Sequence, residues 1–177
     1  QKCLTNFIPG EYKISDEIIV NAFDQYVRTN QPGVQVEHPV KNIWIKVNKE
    51  TGEIEVKNDG VGIKVEIHEK EKVWIPELIF GHLLTSSNYD KNKIKHVGGK
   101  NGYGSKLTNI YSKQFYLETI DAVNGKKYRQ TWCDNMSVKG KPSITKNSNK
   151  PYTIIRYTPD YQRFGLENLE QSMFQIM

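Results

Sequence analysis

The stretch that decides the fold runs from His96 to Tyr111 and reads HVGGKNGYGSKLTNIY. It carries four glycines within seven residues, and directly after them Leu107, Ile110 and Tyr111 resume the spacing of a helix. Glycine lets a ligand approach the backbone closely, and the free N–H groups at the start of a helix attract anions. The stretch therefore predicts a glycine-rich loop that leads into a helix and binds phosphate.

The common phosphate-binding motifs do not describe this loop. Gly99 and Gly104 have the spacing of a Walker A motif, but Ser105-Lys106 follows them where that motif has Lys-Ser or Lys-Thr. The third glycine of a Rossmann fingerprint would fall on Leu107. Considered alone, the loop is equally well interpreted as a flexible turn, so the rest of the chain must decide.

Composition places the chain among ordinary globular proteins. Its 177 residues are 37% hydrophobic and 25% charged, and no apolar run approaches the roughly 20 residues of a membrane span. It begins with Gln and ends within a helical pattern, so we expect an excised piece of a longer protein. Cys3 and Cys133 have no metal-site spacing, which favours a reducing compartment. The net charge of +5 suits work near polyanions, although a solvated lysine-rich surface explains it as well.

The first predicted helix covers residues 14–28, with Ser15 as its N-cap. A polar stripe on it includes Glu17 and Asn21, which either face water or serve a site. We expect the apolar positions to be buried; they are Ile18, Ile19, Ala22, Phe23, Tyr26 and Val27.

A β-hairpin is predicted next, with strands at 43–48 and 53–58. Its second strand runs into Asp59-Gly60-Val61-Gly62. An Asp-Gly pair usually marks a turn, but a carboxylate at a strand end can also accept a hydrogen bond from the amine of a purine.

The second half of the chain predicts further helices and strands. A helix opens at Ile75-Pro76 and buries Leu78, Ile79, Phe80, Leu83 and Leu84, and the hydroxyl and amide cluster after it either binds ribose or phosphate or caps the helix. Strands follow at 115–120 and 126–133 around Asn124-Gly125, then at 143–145 and 152–157, and a last helix at 166–177. The prediction is an α+β fold with helices packed on one face of a mixed, mostly antiparallel sheet.

Four signals stand in one order: Glu17 with Asn21, Asp59 to Gly62, Ser86-Ser87-Asn88, and the loop from Gly98 to Lys106. This order resembles the GHKL ATPase superfamily. The runs IFGHLLTSSNYD at 79–90 and NGYG at 101–104 are similar to the ATPase domain of type II DNA topoisomerases of eukaryotes or large DNA viruses. The resemblance implies a Bergerat-type sandwich over residues 1–177, without the N-terminal strap and the C-terminal transducer domain.

The resemblance also implies ATP and Mg²⁺ as cofactors and assigns roles to residues. Glu17 is implied as the general base, Asn21 as the Mg²⁺ ligand, and Asp59 with Gly62 as adenine contacts. Ser86, Ser87 and Asn88 would contact ribose and α-phosphate. The phosphate loop would be Lys100, Asn101, Gly102, Tyr103, Gly104, Ser105 and Lys106, with Lys106 as a direct charge partner. Three positions depart from the family pattern: Gln25 replaces an asparagine, Ser105 an alanine, and Arg156 a threonine that supports the adenine site.

The function implied is that of an ATP-binding and hydrolysing domain whose ATP-driven dimerisation closes a gate during passage of one DNA duplex through another. The whole enzyme would be a homodimer that acts on DNA in the nucleus, or in the host cytoplasm or virion if viral, without a membrane. The fragment is expected to be a monomer with little turnover, since it lacks strap and transducer. Two alternatives are another GHKL ATPase, of the MutL or chaperone type, and a non-enzymatic nucleic-acid-binding module.

Overall fold

The computed structural model of the protein describes residues 8–83 and 103–169. Within these two ranges the α-helices are α1 (Pro9–Thr29), α2 (Ile75–Phe80) and α3 (Gly104–Ile110). Its strands are β1 (Ile43–Val47), β2 (Ile54–Asp59), β3 (Ser112–Asp121), β4 (Lys126–Cys133), β5 (Val138–Lys139), β6 (Ser143–Lys146) and β7 (Tyr152–Pro159). A short 3-10 helix follows at Tyr161–Phe164. Over these ranges no helix is long and apolar enough to cross a membrane.

The strands form one sheet in the order β1-β2-β7-β3-β4-β5, and β6 also pairs with β4. Every pairing between these strands is antiparallel. The helices cover one face of the sheet, which we call the inner face; the opposite face is the outer face. The α+β sheet expected from the sequence is thereby confirmed.

Both predicted hairpins are present. Strands β1 and β2 pair around a turn in which Gly52 has a φ of +70°, and β3 and β4 pair around Gly125 with a φ of +57°. Glycine takes these left-handed conformations without the steric penalty of a Cβ atom. The two-residue strand β5 was not predicted, because so short a segment carries no alternating pattern.

The core lies between the inner face and the helices. Alternate residues of the strands, such as Val56, Leu117 and Ile155, point inward and pack against Ile18 and Ala22 of α1. Phe115 sits at the centre of an aromatic group, with ring centroids 6.0 Å from those of Phe80 and Trp132 and 6.5 Å from that of Tyr157.

Helix α1 differs from its prediction at its start and on its surface. It begins at Pro9 and not at Ser15, because proline is well tolerated in the first turn, where its missing N–H would have no partner. Ser15 is instead buried inside the helix. Phe23, Tyr26 and Val27 are exposed by 54%, 40% and 40%, so the expectation that they are buried is wrong. The buried stripe of α1 is narrower than its apolar stripe.

Helix α2 begins at Ile75-Pro76 as expected and ends at Phe80. Gly81 then passes so close to Trp132 that a Cβ atom there would lie 2.2 Å from the indole ring. Leu83, which the pattern places on the buried side, is 51% exposed because the helix has already ended. Residues 166–169 are not part of an α-helix, and the rest of the expected last helix, like Leu84, lies outside the described residues.

Candidate nucleotide-binding site

A cavity of about 670 Å³ opens on the inner face, between the sheet and the helices. Helix α1 contributes Asn21 and Gln25, the loop after β2 contributes Gly62, and α3 contributes Ser105. The fold thus brings together three residues that were singled out as candidates from separate parts of the sequence: Asn21, Gly62 and Ser105.

The loop after β2 is held tightly against β3. A Cβ atom on Gly62 would lie 1.8 Å from the carbonyl oxygen of Ile120, so only glycine fits there. The next backbone N–H, of Ile63, donates to the Thr119 hydroxyl at 3.0 Å, and that hydroxyl lies 3.0 Å from the hydroxyl of Thr153. Thr153 lines the cavity. These hydrogen bonds therefore tie the loop at this end of the cavity to strands β3 and β7.

The end of β2 requires a correction. Asn58 is 6% exposed and lines the cavity, and its Nδ2 donates to the carbonyl oxygen of Asp59 at 2.8 Å. The carboxylate of Asp59 is directed elsewhere: it accepts hydrogen bonds from the backbone N–H groups of Lys41 and Asn42 at 2.7 and 2.8 Å and from the Asn42 side chain at 2.8 Å. Asp59 is not among the residues that line this cavity. Successive strand residues point to opposite faces, and Asn58 has the inner position.

The pKa of Asp59 follows from these contacts. Burial raises the pKa of the carboxyl group, but the hydrogen bonds from Asn42 and Lys41 outweigh it and hold the pKa below its ordinary value. The carboxylate is thus a fixed anchor for residues 41–42 and is already occupied by three donors.

Arg156 also lies outside the cavity. Its guanidinium is on the outer face, where it pairs with Glu55 and lies 5.3 Å from the ring centroid of Tyr116. The threonine that supports this end of the cavity is Thr153, three residues earlier. The expectation that Arg156 replaces the threonine of the adenine site is therefore wrong.

Helix α3 starts beside the carboxylate of Glu17. A Cβ atom on Gly104 would lie 1.7 Å from Oε2 of Glu17, so the helix start and the carboxylate are in direct contact. The Nζ atom of Lys13 lies 2.6 Å from Oε1 of the same carboxylate. The Thr108 hydroxyl donates to the carbonyl oxygen of Ile14 at 2.6 Å, which fixes α3 on α1. Glu17 is thereby held at the end of the loop predicted to bind phosphate.

Lys106, on the first turn of α3, is only 5% exposed. Burial lowers the pKa of its ammonium group, and the charge of Glu71 partly opposes that shift. Tyr103 precedes α3 as its N-cap residue. The remaining candidates lie outside the described residues: Ser86, Ser87, Asn88, Lys100, Asn101 and Gly102.

The side chains around the cavity fit an Mg²⁺ ion that is held mainly by the oxygens of a bound phosphate ligand and of water. Within residues 8–83 and 103–169 there is no group of three His, Cys, Asp or Glu side chains that could hold a metal ion. Asn21 lines the cavity, and its side chain carries one carboxamide oxygen. Mg²⁺ commonly takes one or two protein oxygens and fills its other positions with phosphate and water.

Known proteins share both the sequence and the fold. DNA topoisomerase 2 of Candida glabrata is 52% identical over 97% of the chain, and that of Acanthamoeba polyphaga mimivirus is 46% identical over 96%. The crystal structure of the ATPase region of Saccharomyces cerevisiae topoisomerase II is 51% identical over 91% of the chain, with a TM-score of 0.77. The chain belongs to the family of type II DNA topoisomerases. It corresponds to their ATPase region.

The match covers a small part of each relative. The chain spans 12% of the Candida glabrata topoisomerase, 13% of the mimivirus one and 41% of the yeast ATPase-region chain. The ATPase domain of Thermus thermophilus gyrase B shares the fold, with a TM-score of 0.67 at 20% identity. No family model matches the chain.

Sequence reasoning missed three polar residues at the sheet end of the site: Asn58, Thr119 and Thr153. The signal that could have found Asn58 is its step of two from Ile54 and Val56, which places it on the buried face. The two threonines come together only when β3 and β7 pair, at the register Thr119 to Thr153. That pairing is not visible from either strand alone.

Proposed function

We propose that this chain is the ATP-binding and hydrolysing domain of a type II DNA topoisomerase, in which ATP-driven dimerisation closes a gate during DNA strand passage. One observation carries the proposal. A single inner-face cavity has Asn58, Gly62 and Thr153 at its sheet end, and Asn21 and Ser105 on its helices, next to the contact between Glu17 and Gly104.

The sheet end suits adenine. The Nδ2 atom of Asn58 donates to the carbonyl oxygen of Asp59, which fixes the carboxamide, and in this proposal the Oδ1 atom of the same group is the acceptor for the nucleotide. Adenine presents an amine that can donate to such an oxygen. Guanine presents a carbonyl at the same place, which would leave two acceptors facing each other.

The helix end suits the triphosphate. Asn21 would supply an oxygen to Mg²⁺, and the residues of the loop that ends at Lys106 would surround the phosphates. Glu17 would polarise the attacking water, a task that requires an ionised carboxylate close to the γ-phosphate. Ser86, Ser87 and Asn88 keep their proposed contacts to ribose and α-phosphate.

The wider context is part of the same proposal. Residues 1–177 would form one GHKL domain of a longer, nuclear or viral homodimeric enzyme that acts on DNA. Mg²⁺ is included because of the family and because of Asn21 in the cavity. DNA is included because of the family alone.

Calorimetric titration of the chain tests the proposal. We expect a non-hydrolysable ATP analogue to bind in the presence of Mg²⁺ and the matching GTP analogue to bind at least about tenfold more weakly, the scale of one lost hydrogen bond with an unpaired acceptor. In the longer enzyme that includes strap and transducer, Glu17→Gln should keep ATP-analogue affinity and lose ATP hydrolysis, measured by a steady-state ATPase assay. Equal affinity for both nucleotides, or hydrolysis that survives Glu17→Gln, would contradict the assignment.

A further inference from the structure

The carboxylate of Glu17 has a charged neighbour to which the proposed function gives no role. The Nζ atom of Lys13 lies 2.6 Å from Oε1 of Glu17 and 3.3 Å from Oδ2 of Asp16. All three residues belong to α1, and Lys13 lies about one turn before Glu17. The side chain of Lys13 is 57% exposed and that of Glu17 is 23% exposed, so the pair lies at the edge of the protein surface.

The ammonium group of Lys13 is charged throughout the physiological pH range. Its hydrogen bonds to Glu17 and to Asp16 raise the pKa of Lys13 above its ordinary value of 10.5, although burial opposes this shift. One cation is thus shared by two carboxylates. The shorter of its two contacts goes to the carboxylate that is proposed as the general base.

Helix stability explains this pair poorly. A lysine four residues before a glutamate is the less favourable order for such a pair on a helix, and exposed ion pairs contribute little to folding. The position of the pair explains it better, because Glu17 is also the residue that touches the start of α3.

The two oxygens of the Glu17 carboxylate have different neighbours. Lys13 lies at Oε1, whereas the backbone of Gly104 packs so closely against Oε2 that a Cβ atom there would lie 1.7 Å from it. A glutamate side chain has three rotatable bonds, and these two contacts restrict them. A carboxylate offers about four acceptor positions, so a group that accepts from Lys13 still accepts from a water molecule.

We propose that Lys13 is a positioning residue for ATP hydrolysis, which orients the carboxylate of Glu17 and keeps it ionised for the attacking water. The inference rests on the proposed function, because that function makes Glu17 the general base. Lys13 itself does not touch the nucleotide: it precedes Asn21, which lines the cavity, by eight positions, or about 12 Å along the helix axis. A misplaced or protonated base slows the chemical step and leaves ATP binding unchanged.

The test uses the longer enzyme that includes strap and transducer, with the variants K13Q, K13R and K113Q. Lys113 is the matched control, since its side chain is 53% exposed and its Nζ lies 3.3 Å from Oδ2 of Asp160, which keeps Arg163 as a second partner. We expect single-turnover ATP hydrolysis to be about tenfold slower in K13Q, within threefold of the wild type in K13R and unchanged in K113Q. Calorimetric titration with a non-hydrolysable ATP analogue should give a Kd within twofold of the wild type in all three variants. Thermal melting confirms that the variants are folded.

The pH dependence of the single-turnover rate distinguishes a role at the base from a purely structural role. Besides Lys13, the titratable side chains next to Glu17 and Gly104 along α1 and α3 are Asp16, Tyr103 and Lys106, and K13Q alters none of them. A carboxylate that loses a neighbouring cation is protonated more easily. We therefore expect the acid limb of the profile to move up by about 0.5–1 pH unit in K13Q and to stay in place in K113Q.

Several outcomes would overturn the proposal. They are an unchanged rate in K13Q, an equal loss of rate in K113Q, a rate in K13R as low as that in K13Q, and an acid limb that does not move. A tenfold loss of analogue affinity in K13Q would mean that Lys13 binds the phosphates directly. Hydrolysis that survives E17Q would refute the proposed function, whereas a fully active K13Q beside an inactive E17Q would refute only the role of Lys13.

Discussion

The two faces of the sheet are built from alternate residues of the same strands, yet one face lines a cavity and the other carries charged side chains. On the inner face, Asn58 and Thr153 line the nucleotide cavity. Their neighbours Lys57 and Tyr152 belong to the outer face, where Lys57 lies over the ring of Tyr152. A step of one residue along a strand therefore separates a cavity wall from a charged surface.

The inner face depends on close approach and the outer face on redundant charge. Gly62 can be replaced by no larger residue without a clash, whereas Glu118 has four donors around it. We therefore expect substitutions on the inner face to have the larger effects, and the following predictions test that difference in order of expected size.

The largest effect is expected from Gly62→Ala. The added Cβ would lie 1.8 Å from the carbonyl oxygen of Ile120, so the loop after β2 must move away from β3. We expect a loss of about 3 kcal/mol or more in the free energy of unfolding, measured by urea denaturation. Gly10→Ala is the matched control, because its Cβ would meet only the ring of Phe164 at 3.2 Å; a loss as large in the control would contradict the account.

Glu118→Gln should have an intermediate effect that depends on pH. The pKa of Glu118 is about 2 in the fold, below its ordinary value of 4.5, so its ionisation stabilises the fold above pH 4.5 and this contribution is lost as the pH falls towards 2. At pH 7 we expect a loss of about 1–3 kcal/mol, because Glu118 is buried but its partner Arg129 is half exposed and screened by solvent. The unfolding curves of the variant and the wild type should be well separated at pH 7 and should converge towards each other at pH 3. Glu50→Gln, in an exposed turn, should show no such convergence.

The smallest effect is expected from Arg156→Gln. Its ion pair with Glu55 is partly exposed, so its removal should cost about 0–1 kcal/mol of stability. Nucleotide affinity should stay within twofold of the wild type, because the guanidinium lies on the outer face. A tenfold change in ATP affinity would contradict the placement of Arg156 on the outer face and indicate that it contributes to the adenine site.

The sequence predicts the elements of this fold better than it predicts which face a residue occupies. Strands β1, β2, β3 and β4 were predicted because alternating residues flank strong turns such as Asn124-Gly125. Asp59 was assigned to the nucleotide site and Arg156 was placed at the position of a threonine that supports it, yet both have their charged groups elsewhere. Neither a motif nor a resemblance fixes the strand register that decides this, because the register arises from pairing across the whole sheet.

The contact between Glu17 and Gly104 illustrates what a local sequence pattern can suggest and what it cannot. A glycine at a helix start next to a loop rich in glycine indicates close approach of something, and the sequence predicts a phosphate. The structure adds the carboxylate of Glu17 at the same point. Their separation of 87 positions along the chain hides this contact from any local pattern.

The measurement that tests the central claim most directly is calorimetric titration of Asn58→Ala and Asp59→Ala with a non-hydrolysable ATP analogue and Mg²⁺. Asn58→Ala removes the acceptor in the cavity and should weaken binding about 10- to 100-fold. Asp59→Ala removes the anchor of residues 41–42, so it should cost about 1–3 kcal/mol of stability and leave the affinity of the folded protein within threefold. The reverse result, with affinity lost in Asp59→Ala and kept in Asn58→Ala, would contradict the placement of the nucleotide on the inner face.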